Sequence, residues 1–230
     1  TSRLIGYALT PQSKRALPSN EAFVPGDGCS VGFIHVTSPE GIMAGLRKGM
    51  HPNGHVRPFK WVAPRERCIL IPEEMRIEKN LARLMRKEQF TLSMDRDPLG
   101  VLQGCAAPRK GRPPLTWITP DMQRVLMDLF DAGIMHTVEV RNKDGELVGG
   151  LFGYACDDLF MIQSQFHFVR DASKVATVGL VAHLAEWGFT GADGDVMPGY
   201  LKSFGFRRMG RWKPAEGLCP RKETAPAKAS

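Results

Sequence analysis

Residues 146–174, ELVGGLFGYACDDLFMIQSQFHFVRDASK, limit what this 230-residue chain can fold into more than any other stretch. They open with alternating and aromatic residues, break at Cys156-Asp157-Asp158, and run on through 159–169. Two β-rich runs separated by a short polar break predict an antiparallel hairpin. After Arg170-Asp171-Ala172-Ser173-Lys174 the pattern becomes an apolar helical one over 175–187. Two strands followed by a capped helix leave a polar-lined cleft where the second strand ends. Within that strand Gln163, Ser164 and Gln165 sit among Phe160, Met161, Ile162, Phe166 and Phe168. Uncharged polar groups in an apolar strand need partners from the protein or from a ligand. Satisfied core amides and a ligand-facing strand are both open at this point.

Two hundred and thirty residues suffice for one large domain or two small ones. A hydrophobic content of 43% with 24% charged residues fits a soluble globular protein. No apolar run approaches the roughly 20 residues that span a bilayer, so no membrane partner is expected. The opening Thr1-Ser2-Arg3-Leu4-Ile5 lacks the apolar core of a secretory signal, and a cytoplasmic location is the expectation. Five cysteines, Cys29, Cys68, Cys105, Cys156 and Cys219, form no CxxC pair and fit reduced thiols. His51 and His55 have ligand-like spacing, but Pro52 and Gly54 keep a regular helix from presenting both. No metal site is expected.

The net charge of +7 favours a polyanionic partner, with nucleic acid the usual one. A helix is predicted over 78–89, with Leu81, Leu84 and Met85 inward and Lys79, Arg83, Arg86 and Lys87 on the outer side. These four read either as a solvated face or as a phosphate-contacting surface. A Pro-rich loop at 106–114 adds Arg109, Lys110 and Arg112. More positive charge lies in the Pro- and Ala-containing tail, which is expected to be disordered.

Elsewhere the chain predicts an irregular arm over 1–38 with a strand at 31–36, then a helix capped by Thr37 or Ser38 and opened by Pro39. A loop over 51–55, strands at 68–71 and 90–95, and a short helix at 98–105 follow. Thr119-Pro120 opens another helix, whose Met122, Val125, Leu126, Leu129 and Phe130 fit a 3.6 period and which Gly133 stops. A strand at 137–141 leads through the turn Asn142-Lys143-Asp144-Gly145 into the hairpin. Asp193-Gly194-Asp195 reads as a loop, 200–204 as a short helix, and a basic strand closes the chain. These elements predict an α/β or α+β sheet fold.

Several segments, in order over about 38–210, carry a resemblance. They are Ser38-Pro39-Glu40 through Gly49, Trp61 through Arg65, Gly104-Cys105-Ala106, Thr116-Trp117-Ile118-Thr119, His136-Thr137-Val138-Glu139-Val140, Glu146 through Gly153, and Ala172-Ser173-Lys174. Together they resemble the leucyl/phenylalanyl-tRNA–protein transferase family. The resemblance implies an α+β, GNAT-like acyltransferase fold, divided into a 1–66 N-terminal arm and small α/β domain, a 67–213 GNAT-like transferase domain and a 214–230 basic tail. It implies transfer of an aminoacyl group from aminoacyl-tRNA to the N-terminal amine of an acceptor protein or peptide, marking the acceptor for degradation in the N-degron pathway. No cofactor is implied, since the tRNA ester is already activated, and 170–174 lacks the repeated glycines of a pyrophosphate loop. On this reading Lys79, Arg83, Arg86, Lys87, Arg109 and Lys110 hold tRNA phosphates. Trp61 and Trp117 stack the terminal adenine or wall a side-chain pocket, with core packing the alternative. Leu151, Phe160, Phe168 and Val169 are candidates to line the donor pocket, again with core packing as the alternative.

The match breaks nearest the chemistry. The family's Gly-Glu-Ser-Met-Phe is Ile162-Gln163-Ser164-Gln165-Phe166 here, and its Asp-Cys-Gln is Asp193-Gly194-Asp195. The expectation is that Asp195 acts as a carboxylate base in place of the family glutamine, with Asp193 orienting it, and that their proximity raises one pKa. A plain Asp-Gly-Asp turn is the alternative. Gln163, Ser164 and Gln165 make the donor pocket more hydrogen-bonding, which would turn donor choice from leucine or phenylalanine toward a polar amino acid. Two other readings compete: a catalytically silent binder of tRNA or N-terminal peptides, and a GNAT-type enzyme using acyl-CoA. Nothing in the sequence speaks to oligomeric state.

Overall fold

A computed structural model describes residues 30–34, 37–54, 59–64, 67–108, 115–195 and 199–209. Two sheets divide its strands. The smaller holds β1 (Ser30–Phe33), β2 (His51–Asn53) and β3 (Lys60–Val62), all antiparallel in the order β1-β3-β2, with α1 (Pro39–Leu46) between the first two in the chain. The larger is built from β4 (Arg67–Leu70), β5 (Thr91–Met94), β6 (Met135–Arg141), β7 (Leu147–Cys156), β8 (Leu159–His167), β9 (Gly191–Asp193) and β10 (Arg207–Met209). Its order is β10-β4-β9-β8-β7-β6-β5. The helices are α2 (Lys79–Arg86), α3 (Pro98–Ala106), α4 (Pro120–Asp131) and α5 (Ala172–Glu186). Every strand pair is antiparallel except β8 with β9, which run parallel because the whole of α5 connects them. The fold is α+β.

Local chemistry sets the helix ends. Ser38 Oγ accepts from the Gly41 amide and Thr119 Oγ1 from the Met122 amide, each followed by a proline whose missing N–H costs nothing there. Gly133 at φ 69° ends α4, and Gly145 at φ 80° closes the β6–β7 turn. α5 differs from expectation: it starts at Ala172, and Asp171 at its N-cap makes no capping hydrogen bond. The Asp171 carboxylate instead pairs with Lys174 Nζ at 2.9 Å.

Alternation along β8 packs both faces of the large sheet. Leu159 and Met161 join a core with α3, α4 and the small sheet, whereas Phe160 and Ile162 join one with α5. The alternation breaks at Gln163. Phe152 pairs with Ser164 and Gly153 with Ile162, so Gln163 has no cross-strand partner and forms a β-bulge. The extra residue reverses the parity. Phe166 therefore rejoins the α3 face, against Gly104, while Gln165 turns to Thr177 of α5.

Three expectations need correction. Residues 51–53 form β2, paired to β3 with His51 opposite Val62, rather than a loop. Asp193 belongs to β9, not to a loop. β8 ends at His167, because the Phe168 amide donates back to the Val148 carbonyl at 2.7 Å. Arg109, Lys110, His55, the tail and most of the N-terminal arm lie outside the described residues.

Candidate active site

β8 and β9 pair through Leu159–Gly191, Phe160–Ala192 and Met161–Asp193 and then stop. Past Met161 the bulge turns β8, and past Asp193 β9 ends. The chains part there, with Gln163 and Asp195 each two residues beyond the last pair. Ligand sites in open sheets lie at such openings, beyond the carboxyl ends of parallel strands. Each of the two residues also brings a buried polar atom without a hydrogen bond, Gln163 Nε2 and Asp195 Oδ1. An unmade bond on a buried polar group costs about 1–3 kcal/mol, and these two residues lie just past the end of the β8–β9 pairing.

The Asp195 side is rigidly built. Arg67 of β4 is 2% exposed and Asp193 is fully buried. Arg67 Nε donates to Asp193 Oδ2 at 2.8 Å, Nη2 donates to the same oxygen, and Nη1 donates to the Gly49 carbonyl at 3.1 Å. Asp193 Oδ1 accepts the backbone N–H of Asp195 at 2.8 Å. The Asp195 carbonyl accepts from the Cys68 amide at 3.0 Å, holding the residue in left-handed backbone at φ 62°. Asp tolerates that region better than most residues. Burial raises the Asp193 carboxyl above its ordinary value despite the guanidinium beside it. Burial also works against the charge of Arg67, but Asp193 and Asp195 outweigh it and hold Arg67 above its ordinary value. The carboxylate with the raised pKa is therefore Asp193, and burial is the chief cause rather than the neighbouring acid.

Asp195 itself has a side chain 28% exposed, with Oδ1 3.9 Å from Arg67 Nη1 and Oδ2 3.8 Å from His51 Nε2. His51 is buried, and burial pushes its pKa down, with Arg67 acting in the same direction and Asp195 and Asp193 against it. Sequence reasoning passed over both His51, weighed only as a metal ligand, and Arg67. A lone arginine at the edge of a short apolar strand gives no sequence-level sign of a partner 126 residues away. Among the described residues, no group of three or more His, Cys, Asp or Glu is arranged to hold a metal.

The remaining predicted residues scatter more widely. Gln165 Nε2 donates to the Tyr200 hydroxyl, and Gln165 Oε1 accepts from Thr177 at 3.4 Å, so this amide is engaged by the protein. Ser164, half-buried, follows the bulge. Phe168 is 63% exposed and packs against Phe166 at a tilt of 59°, with centroids 5.1 Å apart. Trp117, half-buried, sits 6.1 Å from Phe152. Trp61 is 2% exposed beneath Gly45 of α1, where a Cβ would come within 2.2 Å of the indole. Leu151 and Phe160 are buried in the α5-side core, which fits the packing reading. Lys79, Arg83, Arg86 and Lys87 are exposed along and just after α2, while Leu81 anchors that helix inward.

Residues 69–216 match the family model described as leucyl/phenylalanyl-tRNA protein transferase. Over 175 residues, 76% of this chain, the sequence is 39% identical to the leucyl/phenylalanyl-tRNA–protein transferase of Saccharophagus degradans, covering 71% of that protein. The chain belongs to the leucyl/phenylalanyl-tRNA–protein transferase family. A second relative so named, from Pseudomonas entomophila, is 39% identical over 79% of this chain and 80% of its own. Among solved structures, that of FemX superposes with a TM-score of 0.49 at 12% identity, over 75% of this chain and 66% of that one. No helix among the described residues is long and apolar enough to cross a membrane.

Proposed function

We propose that this chain transfers the aminoacyl group of a charged tRNA to the free amino terminus of an acceptor protein in the cytoplasm, marking the acceptor for degradation. Family membership supports the reaction type. The parting of β8 and β9 between Gln163 and Asp195, each with an unpartnered buried polar atom, carries it to particular residues. In the reaction the amine nitrogen attacks the ester carbonyl carbon, a C–N bond forms, and the C–O bond to the terminal ribose breaks. One proton passes from nitrogen to the leaving oxygen, so the step needs a base and good positioning more than covalent help. Asp195 takes that proton, and Asp193, clamped by Arg67, fixes the Asp195 backbone.

Gln163 Nε2 donates to the donor aminoacyl group. Because Gln165 is engaged by Tyr200 and Thr177, the shift toward a polar donor amino acid rests on Gln163, with Ser164 beside it. Phe168 and Trp117 are exposed enough to meet the terminal adenine or the donor side chain, whereas Trp61 acts only as support from beneath. Lys79, Arg83, Arg86 and Lys87 hold tRNA phosphates, joined by Arg109 and Lys110. The test is transfer of label from a panel of charged tRNAs to a peptide amino terminus. Ribonuclease should abolish transfer, Asp195→Ala should abolish it while tRNA still binds, and a polar donor should be preferred. Activity supported by acyl-CoA and indifferent to ribonuclease would overturn the reading.

A further inference from the structure

His51 is a buried titratable group that the reaction above leaves unused. Its side chain is 4% exposed, its Nε2 lies 3.8 Å from Asp195 Oδ2, and its Nδ1 has no hydrogen-bond partner. We propose that His51 is the positioning and proton-holding partner of Asp195: the carboxylate takes the proton shed by the attacking amine, and the imidazole Nε2 shares it until it passes to the leaving ribose oxygen. This rests on the transferase reading above.

Placement supports it first. β2 of the small sheet delivers His51, whereas Asp195 follows β9 of the large one, so the pair joins the two sheets just past the β8–β9 pairing. A separation of 3.8 Å is too long for a hydrogen bond, and such contacts often tighten only when substrate is bound. Protonation chemistry supports it second. A carboxyl ordinarily titrates near 4 and an imidazole near 6.5; burial holds His51 below its ordinary value, yet two sites sharing one proton bind it at higher pH than the carboxyl alone. The charged groups acting on His51 are Asp195, Arg67 of β4 and Asp193 of β9; burial and Arg67 favour its neutral form, and the two carboxylates oppose them. The balance closes without a co-reactant: one C–N bond forms, one C–O bond breaks, and one proton moves from nitrogen through the pair to oxygen.

The experiment is the pH profile of kcat/KM for transfer from charged tRNA to a peptide, in the wild type, His51→Gln and Asp195→Asn. Asp195→Asn should lose at least about 100-fold. His51→Gln should lose about tenfold in kcat with KM for both substrates unchanged, and its acid limb should move about one pH unit lower, because a coupled pair binds its first proton at higher pH than the carboxyl alone. A wild-type profile in His51→Gln, or an even loss at every pH, overturns the pairing if Asp195→Asn is inactive. Full activity in Asp195→Asn removes the base assignment beneath the proposal and the proposal with it. Imidazole nitrogen NMR of the full chain gives a readout independent of turnover. The His51 midpoint should fall in Asp195→Asn, and an unmoved midpoint overturns the pairing even where His51→Gln does not fold.

Discussion

Arg67 reaches three segments at once, bonding Asp193 of β9 and the Gly49 carbonyl and facing Asp195. Its removal would leave the buried Asp193 carboxylate without its counter-charge, and breaking a buried pair from one side costs about 3–5 kcal/mol. Arg67→Met should lower stability by that order in urea unfolding. Adding Asp193→Leu should recover much of the loss, since the stranded charge is what makes the single change costly. His51 gives a second prediction at this scale. Its folded pKa lies below the ordinary value of 6.5, so its stabilising contribution is present above pH 6.5 and lost as pH falls toward the folded pKa. Unfolding free energy measured from pH 8 to 5 should decline below about 6.5, and the slope should be shallower in His51→Gln. An equal slope in both would assign the decline to other groups.

At the scale of elements, the bulge at Gln163 ties fold to site. It reverses the parity of β8, sends Phe166 to α3 and Gln165 to α5, and leaves Gln163 unpaired at the opening. Deleting Gln163 would restore strict alternation while leaving Ser164, Gln165 and Phe166 opposite their present partners Phe152, Leu151 and Gly150, so the faces are kept and only the bulge is lost. The expected outcome is cooperative thermal unfolding by circular dichroism with loss of transfer, because the chain keeps its core but loses Gln163 and the turn of β8 at the opening. A cooperative, active deletion variant would show that the bulge is dispensable. This also marks where sequence reading stops. The hairpin, α4 and its cap were legible because alternation, a 3.6 period and Thr119-Pro120 are local signals. The bulge was not, because Gln163-Ser164-Gln165 shows three polar residues and only the pairing with β7 reveals which one is extra. The strand at 51–53 was missed because Pro52 and two glycines nearby read as a loop, whereas pairing with β3 is a tertiary event. Asp195 and Asp193 stood out only against the family pattern, and Arg67 and His51 came into view only when distant strands met.

For the whole molecule, the small sheet is part of the same core as the large one. Leu46, Met50 and Trp61 share a buried cluster with Phe152, Leu159 and Met161, while the exposed Arg47–Asp157 pair across the same boundary is worth at most about 1 kcal/mol. Hydrophobic continuity rather than charge holds the two parts in register, which the His51–Asp195 approach requires. Charge acts at longer range. With +7 overall and four exposed cations on and beside α2, binding of tRNA should weaken steeply with salt. Each phosphate contact adds roughly 0.7–0.9 to the slope of log affinity against log salt. Replacing Lys79, Arg83, Arg86 and Lys87 together with alanine should reduce that slope by up to about 3 while leaving the far-ultraviolet circular dichroism of the chain unchanged, since none of the four is buried. The measurement is anisotropy of labelled tRNA across a salt series. An unchanged slope would make the outer face of α2 an ordinary solvated surface and move the phosphate contacts elsewhere on the molecule.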